Sequence, residues 1–291
     1  MASKIKIAPY VWDRSYANIR SERGCQHDAG LCASARAPWM DGGDRIILRS
    51  SEIVGYEGGY FYDDHLPGPA EPEGRGKEYK HIPFQWDSAG APETLKVKCD
   101  VPGKGMFRLL LEAREDFIDI ELGLRSDLKD PAGEIDWHFC VVAYESRTIG
   151  DPQLERTYLF DGERLRSLRH LTGSSNTEMY SVAGDNGFVP PNQMGIKRGS
   201  VEAQASVVVV QSVDGQHSVA VGFEQSYAIF SSRHNMCFHA EPYLGVIARQ
   251  GEERSVRGKL YMIEGDAPAA LARYREDFGV TARESGGQPG T

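Results

Sequence analysis

Several things are scarce in this sequence, and each shortage closes off a class of protein. No apolar run reaches the roughly 18 residues that a membrane-spanning helix needs, so no membrane segment is expected. Positive charge is in deficit: 33 Lys and Arg stand against 42 Asp and Glu, a formal net charge of -9 with no basic cluster to offset it. A nucleic-acid partner calls for a basic surface that neutralises phosphates, so none is expected. The five cysteines, Cys25, Cys32, Cys99, Cys140 and Cys237, are odd in number and fit no paired Cys-x-x-Cys framework. Cys140 and Cys237 sit in apolar runs and read as small core hydrophobes. Cys25 and Cys32 are close enough in sequence to pair, although reduced thiols are the simpler reading. No GxGxxG, phosphate-binding loop or HExxH pattern occurs, so the expectation is chemistry without a cofactor and without a metal. The first residues lack the apolar stretch of a signal peptide, which makes the cytoplasm the expected location unless a leader has been replaced by the start Met. Helical periodicity is scarce too, and no fixed-period repeat suggests a propeller.

What is present is period-two alternation. Leu95–Cys99, Met106–Ala113 and Phe117–Leu124 alternate apolar with polar or acidic residues, the pattern of strands with one face in a core. Trp137–Tyr144, Val207–Val210, Val219–Phe223, Ser226–Phe230 and Ser255–Ile263 add further strand signals, and Asp161-Gly162 marks a hairpin turn. Pro9 limits the first strand, near Ile5–Ile7, to an edge or a turn. The C-terminal segment Ala267–Phe278 is the one convincing helix, with Asp266 as N-cap, Pro268 in the first turn, and Leu271, Tyr274 and Phe278 on one face. These signals describe an all-β chain, a large antiparallel β-sandwich with one C-terminal helix. Residues 1–280 form a single domain in this reading, with a flexible tail over 281–291. Two long Gly/Pro-punctuated loops, 55–86 and 173–198, are expected to border one cleft.

The densest chemistry lies in Arg233-His234-Asn235-Met236-Cys237-Phe238-His239-Ala240-Glu241-Pro242-Tyr243. It reads as a connection between strands, with Pro242 fixing a turn. A neutral imidazole can take a proton near neutral pH, and a carboxyl or phenol can return one. His239, Glu241 and Tyr243 are therefore the first catalytic candidates, with Arg233, His234 and Asn235 to bind and orient substrate. His138 joins them, because alternation sets it on the face opposite Trp137. Farther upstream, Arg20, Arg23, His27 and Asp28 form a polar turn in which Arg20 could hold an acidic sugar.

The segment Cys237–Gly245, followed by Val256-Arg257-Gly258-Lys259-Leu260-Tyr261 and Glu264-Gly265, resembles bacterial proteins of the galactose-mutarotase-like, supersandwich type. The resemblance covers about the last third of the chain. It implies a concave sheet face that binds carbohydrate, and an enzyme of lyase or isomerase type acting on a sugar or glycoside. Two other readings share that scaffold. One is a glycoside hydrolase using Glu224 and Glu241 as paired carboxylates. The other is a non-catalytic carbohydrate-binding protein whose flat β faces serve a homo-oligomer.

Overall fold

The computed structural model describes residues 5–10, 32–56, 59–63, 86–87, 91–173, 177–183, 198–233 and 236–279. Among them are sixteen strands and two helices, arranged as two eight-stranded sheets whose named strand pairs are all antiparallel. Sheet A runs β1(Lys6–Pro9), β2(Cys32–Arg36), β3(Ile46–Tyr56), β8(Gly133–Val142), β15(Cys237–Ile247), β14(Ser226–Ser232) and β11(Thr177–Ser181), with β4(Gly59–Asp63) also paired to β3. Sheet B runs β10(Leu165–Ser167), β9(Thr157–Phe160), β12(Val207–Gln211), β13(His217–Phe223), β16(Glu253–Glu264), β7(Phe117–Ser126), β6(Gly105–Ala113) and β5(Thr94–Val101). The short helix α1(Leu168–Thr172) follows β10, and α2(Ala267–Phe278) follows β16.

Alternation decides which side chains meet. In β5 every second residue is buried, and the same holds over most of β6 and β7. Their inward residues, with Val208, Val219, Val221, Phe223 and Leu260, pack against Leu48, Ile135, Trp137, Phe139, Val141, Phe238 and Ala240 of sheet A. Phe107 meets Trp137 edge-on at 5.6 Å, and Phe139 meets Phe223 at 5.6 Å. Each such fully buried large side chain contributes roughly 1.5–3 kcal/mol. The outer face of sheet B is covered by α2, which buries Ala267, Ala270, Leu271 and Tyr274 against Val207, Val209, Ala220 and Tyr261. Asp266 caps the helix by accepting from the Ala269 N–H, and Gly279 closes it in the left-handed conformation. Tyr274 lies across Gly222, where an added Cβ would come within 2.7 Å of the ring. The helix therefore needs glycine at that point of the sheet.

Three expectations change. The 55–86 loop is partly a hairpin, because β3 continues to Tyr56 and β4 pairs back onto it. The 173–198 loop contains β11, the edge strand of sheet A. Most of the remainder of both lies outside the described residues, and so does the expectation that they border one cleft. The third change matters most: residues 237–247 are no connection but a central strand, between β8 and β14. Pro242 sits where the β14 register slips between Ser226 and Ala228, a position that spares the ladder the N–H proline lacks.

Candidate active site on the outer face of sheet A

Because β15 is a strand, its residues divide between two environments. Phe238 and Ala240 enter the core, while Cys237, His239, Glu241 and Tyr243 stand on the outer face. On β8, the core takes Ile135, Trp137, Phe139 and Val141, which leaves Asp136, His138, Cys140 and Val142 outside. Register aligns the two sets. Phe238 is opposite Val141 and Tyr243 is opposite Asp136. Stepping along both strands between those pairs puts His239 opposite Cys140 and Glu241 opposite His138. On the other flank, Phe230 of β14 is opposite His239 and Ala228 is opposite Glu241. On β3, Arg49 is opposite Cys140.

The outcome is a compact cluster. His138 Nδ1 lies 2.7 Å from Glu241 Oε1, and His239 Nδ1 lies 3.2 Å from the same oxygen. The two imidazole centroids are 4.5 Å apart, and the Phe230 ring stands edge-on to His239 at 4.8 Å and to His138 at 5.9 Å. Glu241 is fully buried and the His239 side chain 1% exposed, whereas that of His138 is 9% exposed. All three are buried, and His138 is the least so. Burial alone would push the Glu241 carboxyl up, but His138 and His239 outweigh it and hold the pKa below the ordinary value. For His239, burial disfavours the imidazolium, yet Cys237 and Glu241 beside it overcome this and raise the pKa. A buried carboxylate flanked by imidazoles can orient a ring, stabilise its charged form and relay a proton.

The remaining candidates fall elsewhere. Tyr243 stands on the same face, its hydroxyl donating to Glu134 at 3.2 Å. Arg233 donates to Thr172 Oγ1 and to the Gly173 carbonyl, tying the end of β14 to the end of α1. Glu224 accepts from the Arg257 N–H and side chain at the turn after β13, where the Arg257 side chain is 75% exposed. Arg20, Arg23, His27, Asp28, His234 and Asn235 lie outside the described residues. Cys140 and Cys237 do pack among apolar neighbours such as Ile47, Val142, Met179 and Phe230. They also belong to the polar cluster, which their reading as core hydrophobes missed. The usable signal was the shared parity of 138, 140 and 142 on one strand and 237, 239 and 241 on the other.

No protein-family model matches the chain, and no curated protein matches it. Among solved structures it is similar to a galactose mutarotase related enzyme from Lactobacillus acidophilus, with TM-score 0.44 and 11% identity over 84% of this chain and 94% of that one. It is similar also to galactose 1-epimerase from Lactobacillus acidophilus NCFM, with TM-score 0.39 and 11% identity over 91% and 100%. An aldose epimerase homologue from C. elegans gives TM-score 0.36 and 9% identity over 83% and 98%. At these values the likeness decides nothing about chemistry, and the two-sheet antiparallel sandwich stands on its own strand pairing.

Proposed function

We propose that the outer face of sheet A carries out proton transfer on a sugar, in a reaction of isomerase or lyase type. One observation carries the reading: the buried Glu241 carboxylate lies between the ring nitrogens of His138 and His239, with His138 the least buried of the three. His138 takes a proton from a sugar carbon or hydroxyl through Nε2, since Nδ1 faces the carboxylate. Glu241, held ionised, stabilises the imidazolium as it forms. His239 supports the carboxylate from behind and sets its orientation. The proton then returns to the substrate, on the other face for an epimerisation or on a leaving oxygen for an elimination. Such positioned acid–base catalysis contributes on the order of 10²–10⁴ in rate. The sugar as substrate class rests on the resemblance of the C-terminal third of the sequence. The paired-carboxylate hydrolase draws no support from the site, because Glu224 is engaged by Arg257 while Glu241 faces the histidines.

The test is a panel of sugars and glycosides incubated with the protein and followed by NMR. Inverted stereocentres or unsaturated products, absent with Glu241→Gln, are expected. Free reducing ends from glycosides would assign hydrolysis instead. Binding without conversion of any compound would leave a carbohydrate-binding protein.

A further inference from the structure

We propose that Cys140, Cys237 and His239 hold a zinc-class divalent ion on the outer face of sheet A. The inference goes beyond the proton-transfer reading and does not depend on it. Three donors, two thiols and an imidazole, come from two adjacent strands whose register places them together. One donor atom from each lies within 4.8 Å of the others. Tetrahedral zinc, with Zn–S near 2.3 Å and Zn–N near 2.0–2.1 Å, separates its donors by about 3.5–3.8 Å. Small rotations of the two cysteine side chains and the ring would close the difference.

Burial makes the arrangement specific. Cys140 is 1%, Cys237 3% and His239 1% exposed. Neither cysteine is in a disulfide. The His239 ring is flanked by the Cys237 thiol and the Glu241 carboxylate. An ion seated between the ring and the two thiols would bind the buried imidazole where water does not reach. His239 Nδ1 lies on the carboxylate side, 3.2 Å from Glu241 Oε1, so coordination falls to Nε2. This is the usual support of a metal-binding histidine, whose second ring nitrogen is held by a carboxylate.

A rival donor set, His138, His239 and Glu241, is also close enough to hold an ion. Charge decides against it. Two thiolates neutralise a divalent ion in a site shut off from water, whereas one carboxylate leaves a buried net charge. Thiolates with imidazole also select zinc, while oxygen donors suit harder ions.

The experiment reads the metal rather than turnover. The full chain is purified under reducing conditions, and its zinc is measured by plasma mass spectrometry. Cobalt is then exchanged in for absorption spectroscopy. About one zinc per chain is expected, with a sulfur-to-cobalt charge-transfer band in the near ultraviolet. Cys140→Ser and Cys237→Ser, checked by circular dichroism for folding, each lose the metal. Glu241→Gln weakens it by about 10–100-fold, and His138→Ala retains it. Wild-type protein that keeps no zinc after loading and dialysis overturns the proposal, as does a cobalt form without the sulfur band. Zinc lost in His138→Ala but kept in both cysteine variants would move the ion to the rival set. A Cys140–Cys237 disulfide in metal-free protein purified without reductant would replace the ion altogether. Zinc bound without sugar turnover leaves the metal site standing and removes the proton-transfer reading, and turnover by zinc-free protein does the reverse.

Discussion

Replacing Glu241 by Gln keeps the shape of the side chain and removes its charge, which makes it the sharpest perturbation of the cluster. The carboxylate is fully buried, 2.7 Å from one ring nitrogen and 3.2 Å from another. Removing one partner of a buried ion pair typically destabilises by about 3–5 kcal/mol, since the remaining charge is left uncompensated. Gln retains one oxygen toward the rings, so about 3 kcal/mol is the expected loss. Unfolding entropy near 2.1 cal/mol/K per residue, over 291 residues, gives about 0.6 kcal/mol/K. Melting temperature should therefore fall by roughly 5 °C. Turnover should fall by on the order of 10² or more, because the imidazolium loses its counter-charge. Glu224→Gln is the control: its partner Arg257 is exposed, and such pairs contribute about 0–1 kcal/mol. Scanning calorimetry and steady-state kinetics on the two variants decide the matter. A Glu241→Gln protein melting within about 1 °C of wild type at full activity would refute the reasoning.

Other consequences concern the frame that carries the site. Gly222→Ala should destabilise by about 1–3 kcal/mol, because its Cβ would meet the Tyr274 ring at 2.7 Å and the Ser206 carbonyl at 3.0 Å. Turnover should stay unchanged, since Gly222 lies on sheet B; wild-type stability in denaturant titration would mean that α2 does not press on the sheet there. Asp266→Ala removes the cap to Ala269 N–H and should lower stability by about 0.5–2 kcal/mol, read in the same titration. Asp44 is drawn below its usual value: burial opposes ionisation, but Thr148, Arg147 and Ser146 hydrogen bonds outweigh it. A depressed folded pKa stabilises above the unfolded value and loses that effect as pH falls through the folded one. Asp44→Asn should thus be less stable than wild type at neutral pH, with the gap narrowing below about pH 4. A gap that stays constant from neutral pH to pH 2 contradicts this.

Much of this frame was legible in the sequence. Phe117–Leu124 announced β7 through strict alternation, and Asp266, Pro268 and the Leu271/Tyr274 spacing announced α2. The segment 233–243 misled because Pro242 and its polar residues resemble a turn. The strand is decided by what alternate residues face: Phe238 and Ala240 enter the core while Cys237, His239 and Glu241 do not. His138 was visible as the residue opposite in parity to Trp137. That His138 meets Glu241, and that Cys140 meets His239, depended on register between strands about a hundred residues apart. The β8–β15 register runs unbroken from Cys237 opposite Val142 to Tyr243 opposite Asp136 and slips only after that, and no local pattern fixes it.

The central claim is that His138, backed by Glu241 and His239, moves the proton. It is tested most directly by the kcat of wild type and His138→Ala on whichever sugar the panel identifies, with free imidazole added back. The account predicts a fall on the order of 10²–10⁴, a circular dichroism spectrum like that of wild type, and partial recovery as imidazole enters the space left by the side chain. A folded His138→Ala protein working at the wild-type rate contradicts it.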